Sequence, residues 1–157
     1  MTVLSPTEAN GVSSVNQARV YISFDIDHDR ELYERLVAQA KGAGFCVSGE
    51  SEPATSHDRW TERARRRIRE ADEVIIICGE HSESSHGMSA EIRIAQEEKT
   101  PYFLLWGRRG LLCTKPIGAK ATEGMYKWTR EILEDQIAIA LRRARSADGR
   151  AFCIPTR

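Results

Sequence analysis

The sequence has no net charge, no closely spaced cysteine pair and no long apolar run. Its 157 residues include 23 basic and 23 acidic side chains, which gives a formal charge of +0. No long-range field draws such a chain to nucleic acid or to anionic lipid, so we expect neither as a partner. Its apolar runs, such as EVIIIC (Glu73–Cys78), fall far short of the ~20 residues that a membrane-spanning helix needs.

The four cysteines, Cys46, Cys78, Cys113 and Cys153, are far apart and form no CxxC motif. We expect reduced, structural thiols in a cytoplasmic protein, two of them within apolar runs that we interpret as buried strands. Cys78 and His81 form a CxxH motif, but no second ligand pair lies at a suitable spacing. We therefore predict no metal site.

The length is that of one domain with one hydrophobic core. Residues 1–17 are small and polar, and they lack the basic and then apolar pattern of a signal peptide. We predict a flexible leader over residues 1–17, a single domain over residues 18–145 and a tail over residues 146–157.

Short apolar runs alternate with helical patterns. The predicted strands are RVYISF (Arg19–Phe24), FCV (Phe45–Val47), EVIIIC (Glu73–Cys78) and YFLLW (Tyr102–Trp106). EVIIIC and YFLLW lack the alternation of apolar and polar residues, as expected for parallel strands that are covered on both faces.

Apolar residues at helical spacing predict a helix after each of the first three strands and a last helix at the end. The first helix carries Leu32, Tyr33, Leu36, Val37 and Ala40 and ends at Gly42 and Gly44. The second is capped by Asp58 and carries Trp60, Ala64, Ile68 and Ala71, and the third begins near Gly87. The last covers about Met125–Ala144 and packs through Leu133, Ile137, Ala140 and Leu141. Residues Gly107–Gly124 are predicted to form a long loop.

This alternation predicts a flavodoxin-like, doubly wound α/β fold, with a mainly parallel sheet of about five strands and helices on both faces. Ligands bind such sheets at the carboxyl ends of the strands, where the strand order reverses. We expect the first and third strands to flank that point. The loops FDIDHDR (Phe24–Arg30) and GEHSESSHG (Gly79–Gly87) then meet there.

Glu91 occupies a position where the helical pattern predicts an apolar residue, because Met88, Ile92 and Ala95 share its face. One interpretation is an acid in the first turn, which the helix dipole favours. A capping box would need Ser, Thr, Asp or Asn at position 88, where the chain has Met88. The other interpretation is a functional carboxylate in the cleft.

The sequence resembles the TIR-like domains of bacterial antiphage defence, in particular those of the Thoeris type. The resemblance rests on RVYISFDIDHDRELYERL, DRWTERARRRIREADEVIIICG and HSESSHGMSAEIRIAQEEKTPYFLLWG and covers about Arg19–Gly107. Its most specific part is a serine, two residues, a small or apolar residue, two residues, and a glutamate followed by Ile or Leu. Ser85, Met88, Glu91 and Ile92 fit this spacing.

The resemblance implies an enzyme that takes NAD as its substrate, holds no permanent cofactor and breaks the nicotinamide glycosidic bond. It further implies self-association through TIR-like surfaces and a cyclic ADP-ribose-type signal that diffuses to a separate effector protein. Glu91 matches the catalytic glutamate. The candidate nucleotide-binding residues are Tyr21, Ser23, Phe24, Asp25, Ser82, Ser85, His86 and Met88. Trp60 matches a recurrent aromatic residue of the core, and Gly87 stands where many relatives carry an aromatic residue.

Two other functions remain open. The same fold could act as a non-catalytic interaction or nucleotide-sensing module. DIDHD (Asp25–Asp29) could instead place the nucleophile and general acid of an aspartate-dependent phosphatase, although neither Cys78–Glu80 nor Trp106–Arg109 supplies the acidic pair that this chemistry needs. Helix capping by Asp27 or Asp29 is the simpler explanation of that motif. We interpret RARRRIR (Arg63–Arg69) as a solvated face paired with Glu62 and Glu70.

Overall fold

The computed structural model describes residues 17–53 and 57–148. Five parallel strands form one sheet: β1 (Ala18–Ser23), β2 (Phe45–Glu50), β3 (Glu73–Cys78), β4 (Tyr102–Trp106) and β5 (Met125–Tyr126). Residues 1–16 and 149–157 lie outside the described residues, so the predicted ends of the domain stay predictions.

The strand order is β2-β1-β3-β4-β5, so the chain moves outward from β1 first on one side and then on the other. β1 pairs with β2 and with β3, and the order reverses between β1 and β3. The predicted doubly wound α/β fold is confirmed, and so is the expected switch point.

Helices cover both faces of the sheet. They are α1 (Arg30–Ala43), α2 (His57–Glu70), α3 (His86–Glu98) and α4 (Arg130–Asp148), and a short 3₁₀ turn (Ser82–Ser84) precedes α3. One core cluster joins α1 and α4 to the sheet through residues such as Leu36 and Ile137, and the other joins α2 and α3 through residues such as Ile68 and Ile92. Because both faces are covered, β3 is buried along its whole length.

The last helix begins later than predicted. Met125 and Tyr126 form β5 and pair with Leu104 and Leu105 of β4, whereas α4 starts at Arg130. The hydroxyl of Thr129 accepts a hydrogen bond from the Ile132 amide at 3.1 Å, which satisfies a donor that the first turn leaves free.

Three smaller predictions also need correction. β2 runs to Glu50 rather than Val47, because its pairing with β1 continues that far. Asp58 lies inside the first turn of α2 rather than at its cap. Cys46, in the predicted strand FCV, is exposed rather than buried, whereas Cys78 and Cys113 are buried; all three are free thiols.

Four arginines of α2 form ion pairs, but not with the predicted partners. Arg63 and Arg67 contact Glu52, which follows β2. Arg65 and Arg69 contact Glu98 at the end of α3. These ion pairs join α2 to its neighbours. None of the helices in the described ranges is long and apolar enough to cross a membrane.

Candidate functional site

A cleft of about 270 Å³ opens at the carboxyl ends of β1 and β3, where the strand order reverses. It lies between the loop after β1, the first residues after β2 and the loop that leads into α3. Its lining residues are Phe24, Asp25, Ile26, Asp27, His28, Ser51, Glu52, His81, Ser84, Ser85, His86, Gly87 and Glu91. The loops predicted to converge do converge.

The start of α3 places Glu91 at this cleft. Ser85 caps the helix, because its hydroxyl accepts a hydrogen bond from the Met88 amide at 3.2 Å. The helix begins at His86, so Glu91 lies in the second turn and not in the first, where the dipole would explain it. Its side chain is fully buried, together with Met88, Ile92 and Ala95 on the same face.

Three hydroxyl groups surround the Glu91 carboxylate. The hydroxyls of Ser23 and Ser51 donate to Oε1 at 2.6 Å and 2.7 Å, and the Tyr21 hydroxyl donates to Oε2 at 2.7 Å. Tyr21 and Ser23 lie in β1, and Ser51 is the first residue after β2. The carboxylate is thus held by the two strands that flank one side of the cleft.

Burial dominates the ionisation of this group. Removal from water raises the pKa of Glu91 to about 7, although the hydrogen bonds from Ser23, Ser51 and Tyr21 oppose that rise by stabilising the charged form. Burial, reinforced by the charge of Glu91, raises the pKa of Tyr21 well above its usual range. Tyr21 therefore stays a hydrogen-bond donor at neutral pH, where Glu91 exchanges between its two states.

The loop after β1 is held by its own carboxylates. Oδ1 of Asp25 accepts a hydrogen bond from the Asp27 amide at 3.0 Å, and Oδ2 lies 2.8 Å from Nδ1 of His28. This contact with Asp25 raises the pKa of His28. The His28 ring stacks on His81 with 4.0 Å between centroids, so the first and third loops touch across the cleft.

Asp29 precedes α1 but does not cap it through its side chain, contrary to the predicted role. Its Oδ1 accepts a hydrogen bond at 2.8 Å from Arg108, which also donates to the His28 carbonyl at 3.0 Å. Burial raises the pKa of Asp29, and the contact with Arg108 opposes that rise. Asp25 and Asp29 therefore brace the loop, which does not favour the phosphatase interpretation.

Comparison with known families agrees with the fold. The model of the TIR domain family matches residues 20–121, a range that includes β1 from Val20 onward, β2 to β4 and the whole of α3. The chain belongs to the TIR domain family. A crystal structure of a prokaryotic SEFIR domain is similar over 80% of this chain and 91% of that chain, with 18% identity and a TM-score of 0.44. No curated protein matches the chain.

The predicted nucleotide-binding residues of this TIR domain fall into three sets. Asp25, Ser85 and His86 line the cleft. Tyr21 and Ser23 act on it through Glu91. The remaining residues have structural contacts: Phe24 borders the cleft but stacks on Tyr33 at 4.7 Å, Met88 is fully buried, and the Ser82 hydroxyl accepts a hydrogen bond from the Gly79 amide at 2.8 Å.

Several residues of the TIR domain cleft did not emerge from the sequence. Ser51 is the clearest, because it donates to Glu91 and also accepts a hydrogen bond from the Phe24 amide at 3.0 Å. Its position directly after a strand that ends at the same edge of the sheet was the available signal. Among the residues with described positions, no group of three or more His, Cys, Asp or Glu side chains is placed to hold a metal ion.

Proposed function

We propose that this TIR domain binds NAD and cleaves the bond between its nicotinamide and ribose. The observation that carries the proposal is the buried Glu91 carboxylate at the floor of a cleft at the switch point. Burial of a carboxylate costs free energy unless hydrogen-bond partners compensate for the loss of water. Buried acids with a raised pKa are typical of functional sites. Membership of the TIR domain family supports the same conclusion.

The charges that line the cleft suit the nicotinamide end of NAD. Asp25 and Asp27 line it beside Glu91, together with Glu52, which Arg63 and Arg67 neutralise, and its described lining includes no lysine or arginine. Such a lining favours the cationic nicotinamide ring over a phosphate group. The volume of about 270 Å³ is also below the ~300 to 1,000 Å³ of sites that hold a complete ligand. The cleft therefore accommodates the nicotinamide ribosyl half, and the diphosphate lies outside.

Glu91 would act when the glycosidic bond breaks. The bonding electrons leave with nicotinamide, and the ribose carbon becomes an oxocarbenium-like centre that a nearby carboxylate stabilises. Because Glu91 is fully buried, a substrate hydroxyl must first replace that of Ser23, Ser51 or Tyr21. The ribose hydroxyls are chemically equivalent donors, so this exchange keeps the carboxylate hydrogen-bonded.

Two fates of the ribosyl cation release the same nicotinamide. Attack by water gives ADP-ribose, and attack by another atom of the same molecule closes a ring. We propose the second outcome, in which the cyclic ADP-ribose-type product leaves as a signal for a separate effector protein, as in antiphage defence of the Thoeris type. Self-association through TIR surfaces would complete the part of the site that holds the diphosphate.

The decisive test compares two isosteric substitutions on the same helix. Glu91→Gln should reduce nicotinamide release by at least ~100-fold, because the amide cannot stabilise positive charge. Glu97→Gln, which changes a half-exposed residue paired with Arg65, should leave it unchanged. Nicotinamide and the nucleotide product are measured by mass spectrometry over a range of protein concentrations. Equal turnover by wild type and Glu91→Gln would remove Glu91 from the reaction.

One observation favours a second function, that of a non-catalytic interaction or nucleotide-sensing module. Both oxygens of Glu91 already have hydroxyl partners, which is also how a purely structural carboxylate is satisfied. This module would bind NAD and return it unchanged at every protein concentration, with crowding agents or extract from infected cells present. Recovery of intact ligand under all these conditions would decide for the module.

A further inference from the structure

A second and larger cavity is lined by Gly107 and Arg109, the two neighbours of Arg108 in the sequence. Its volume is about 1120 Å³, and it opens beyond the ends of β4 and β5, against the exposed side of α1. Its lining residues are Arg35, Gln39, Trp106, Gly107, Arg109, Gly110, Leu111, Met125, Lys127, Trp128 and Thr129. None of them lines the cleft that contains Glu91. We call it the tryptophan cavity.

The tryptophan cavity is positively charged. Arg35, Arg109 and Lys127 line it, and its described lining has no acidic residue. The charge of Arg35 lowers the pKa of Glu31 on the same helix. None of the three cations, however, belongs to an ion pair within residues 17–53 and 57–148. Cations that converge on a concave surface without neutralising partners concentrate anions there.

The neighbouring Arg108 shows the contrast. It contacts Asp29 at 2.8 Å and Glu31 at 3.1 Å, so its charge is neutralised within the fold. Arg109, the next residue, is exposed and lines the tryptophan cavity, and it belongs to no ion pair within the described residues. The ion pairs of Arg108 explain that residue as part of the fold, whereas no ion pair within the described residues explains Arg109.

Two half-buried indoles provide flat apolar surface in the same cavity. The Trp106 Nε1 donates to the Arg108 carbonyl at 2.9 Å, and the Trp128 Nε1 donates to Gln39 at 2.8 Å. Both polar edges are satisfied, and Trp106 and Trp128 also pack against the two core clusters, so what they offer the cavity is the remaining apolar ring surface. The Arg35 guanidinium lies over the Trp128 ring, 5.1 Å from its centre, so a cation and an aromatic face already meet in this cavity.

We propose that the tryptophan cavity binds a phosphorylated nucleoside. A phosphate would contact Arg109, Lys127 and Arg35, and the base would stack on an indole. The volume is large enough, since sites for small molecules are typically ~300 to 1,000 Å³. A concave site with three cations suits one compact anion better than a nucleic acid, which would need an extended basic surface that a chain with +0 net charge does not provide. This site does not depend on the proposed NAD cleavage.

The test uses ADP, pyrophosphate and adenosine as probes in isothermal titration calorimetry with the complete chain. ADP should bind more tightly than either fragment, because only ADP combines the charge with the ring. The double variant Arg109→Ala/Lys127→Ala should weaken ADP binding at least ~tenfold, since both side chains are exposed and their removal leaves the core unchanged.

A matched control exists on α2. Arg59 and Arg66 are exposed arginines that line a groove without aromatic residues, so Arg59→Ala/Arg66→Ala removes the same charge elsewhere and should not change ADP binding. Glu91→Gln should also bind ADP as the wild type does, which separates this proposal from the reaction at the cleft. The proposal is overturned if ADP shows no saturable binding, if pyrophosphate binds as tightly as ADP, or if both double variants weaken ADP equally.

Discussion

At the scale of single residues, the state of Glu91 depends on a balance between burial and three hydroxyl donors. Burial raises its pKa to about 7, and each hydroxyl lowers it. Tyr21 is the only one of the three that contacts Oε2, whereas Ser23 and Ser51 share Oε1. Loss of the tyrosine hydroxyl therefore leaves one oxygen of a buried carboxylate without its donor, which makes ionisation less favourable.

We predict that Tyr21→Phe raises the midpoint of the Glu91 titration by about one pH unit, because a hydrogen bond to a charged group contributes roughly 1.5 to 3 kcal/mol. The measurement is carbon-13 NMR of the labelled side-chain carboxyl. Tyr33→Phe is the control, since the Tyr33 hydroxyl donates to Glu50 at 2.6 Å and not to Glu91. An unchanged midpoint in Tyr21→Phe would show that the hydroxyl does not stabilise the charge.

The sequence revealed the centre of the site but not its surroundings. Glu91 could be found because a charge interrupts an apolar helix face. Ser51 could not, because the segment after β2 has no periodic pattern that fixes where its side chains point. The pair of Asp29 and Arg108 is separated by 79 positions and depends on two loops meeting in the folded chain.

At the scale of elements, β3, β4 and α1 approach one another closely at Gly107. A Cβ atom at this position would lie 2.7 Å from the Cys78 carbonyl oxygen and 2.9 Å from Cδ1 of Leu32. The Gly107 amide donates to that same carbonyl at 2.8 Å, so the backbone has little freedom to withdraw. The glycine lets β4 end beside β3 at the wall of the tryptophan cavity.

We predict that Gly107→Ala lowers the free energy of unfolding by about 2 kcal/mol or more, because the added methyl group meets a fixed backbone oxygen. Gly124→Ala is the matched control. A Cβ atom at Gly124 has no neighbour within 4 Å and the residue does not have a positive φ, so that change should stay within ~0.5 kcal/mol. Urea denaturation measures both, and similar values for the two variants would contradict the proposed contact.

The elements with many repeats of a pattern were predicted well. β3 and β4 have the predicted bounds. The predicted core positions of the second and last helices are buried, except Leu141, which is half-buried. β5 was missed because two residues, Met125 and Tyr126, cannot show a period, and their strand conformation comes from pairing with β4. The predicted start of α4 was wrong for the same reason.

At the scale of the whole molecule, two buried acids make stability depend on pH. Glu73, the first residue of β3, is 2% exposed, and its Oε1 has no hydrogen-bond partner within the described part of the chain. Burial raises the pKa of Glu73 from 4.5 to about 8, although the charge of Arg143 opposes the rise. Burial raises the pKa of Glu91 in the same direction, from 4.5 to about 7.

A carboxyl group with a raised pKa stabilises the fold fully below its unfolded pKa and loses that contribution as the pH rises to the folded value. We therefore predict that the free energy of unfolding falls between about pH 4.5 and pH 8. Glu73→Gln should remove most of this slope and raise stability at pH 8 by on the order of 3 kcal/mol.

Denaturation curves recorded at several pH values check this dependence. Glu70→Gln is the control, because Glu70 is exposed at the end of α2, and it should follow the wild-type curve. If Glu73→Gln retained the full wild-type slope, Glu73 would not be the source of the dependence.

The Ser51 hydroxyl links a main-chain donor to the buried acid. It accepts a hydrogen bond from the Phe24 amide and donates one to Oε1 of Glu91. Consecutive hydrogen bonds polarise one another, so gain or loss of charge at the acid changes the electron density around that amide. The resonance of the Phe24 amide proton is thus a built-in indicator of the charge on Glu91, readable in the unmodified protein without any label on the side chain.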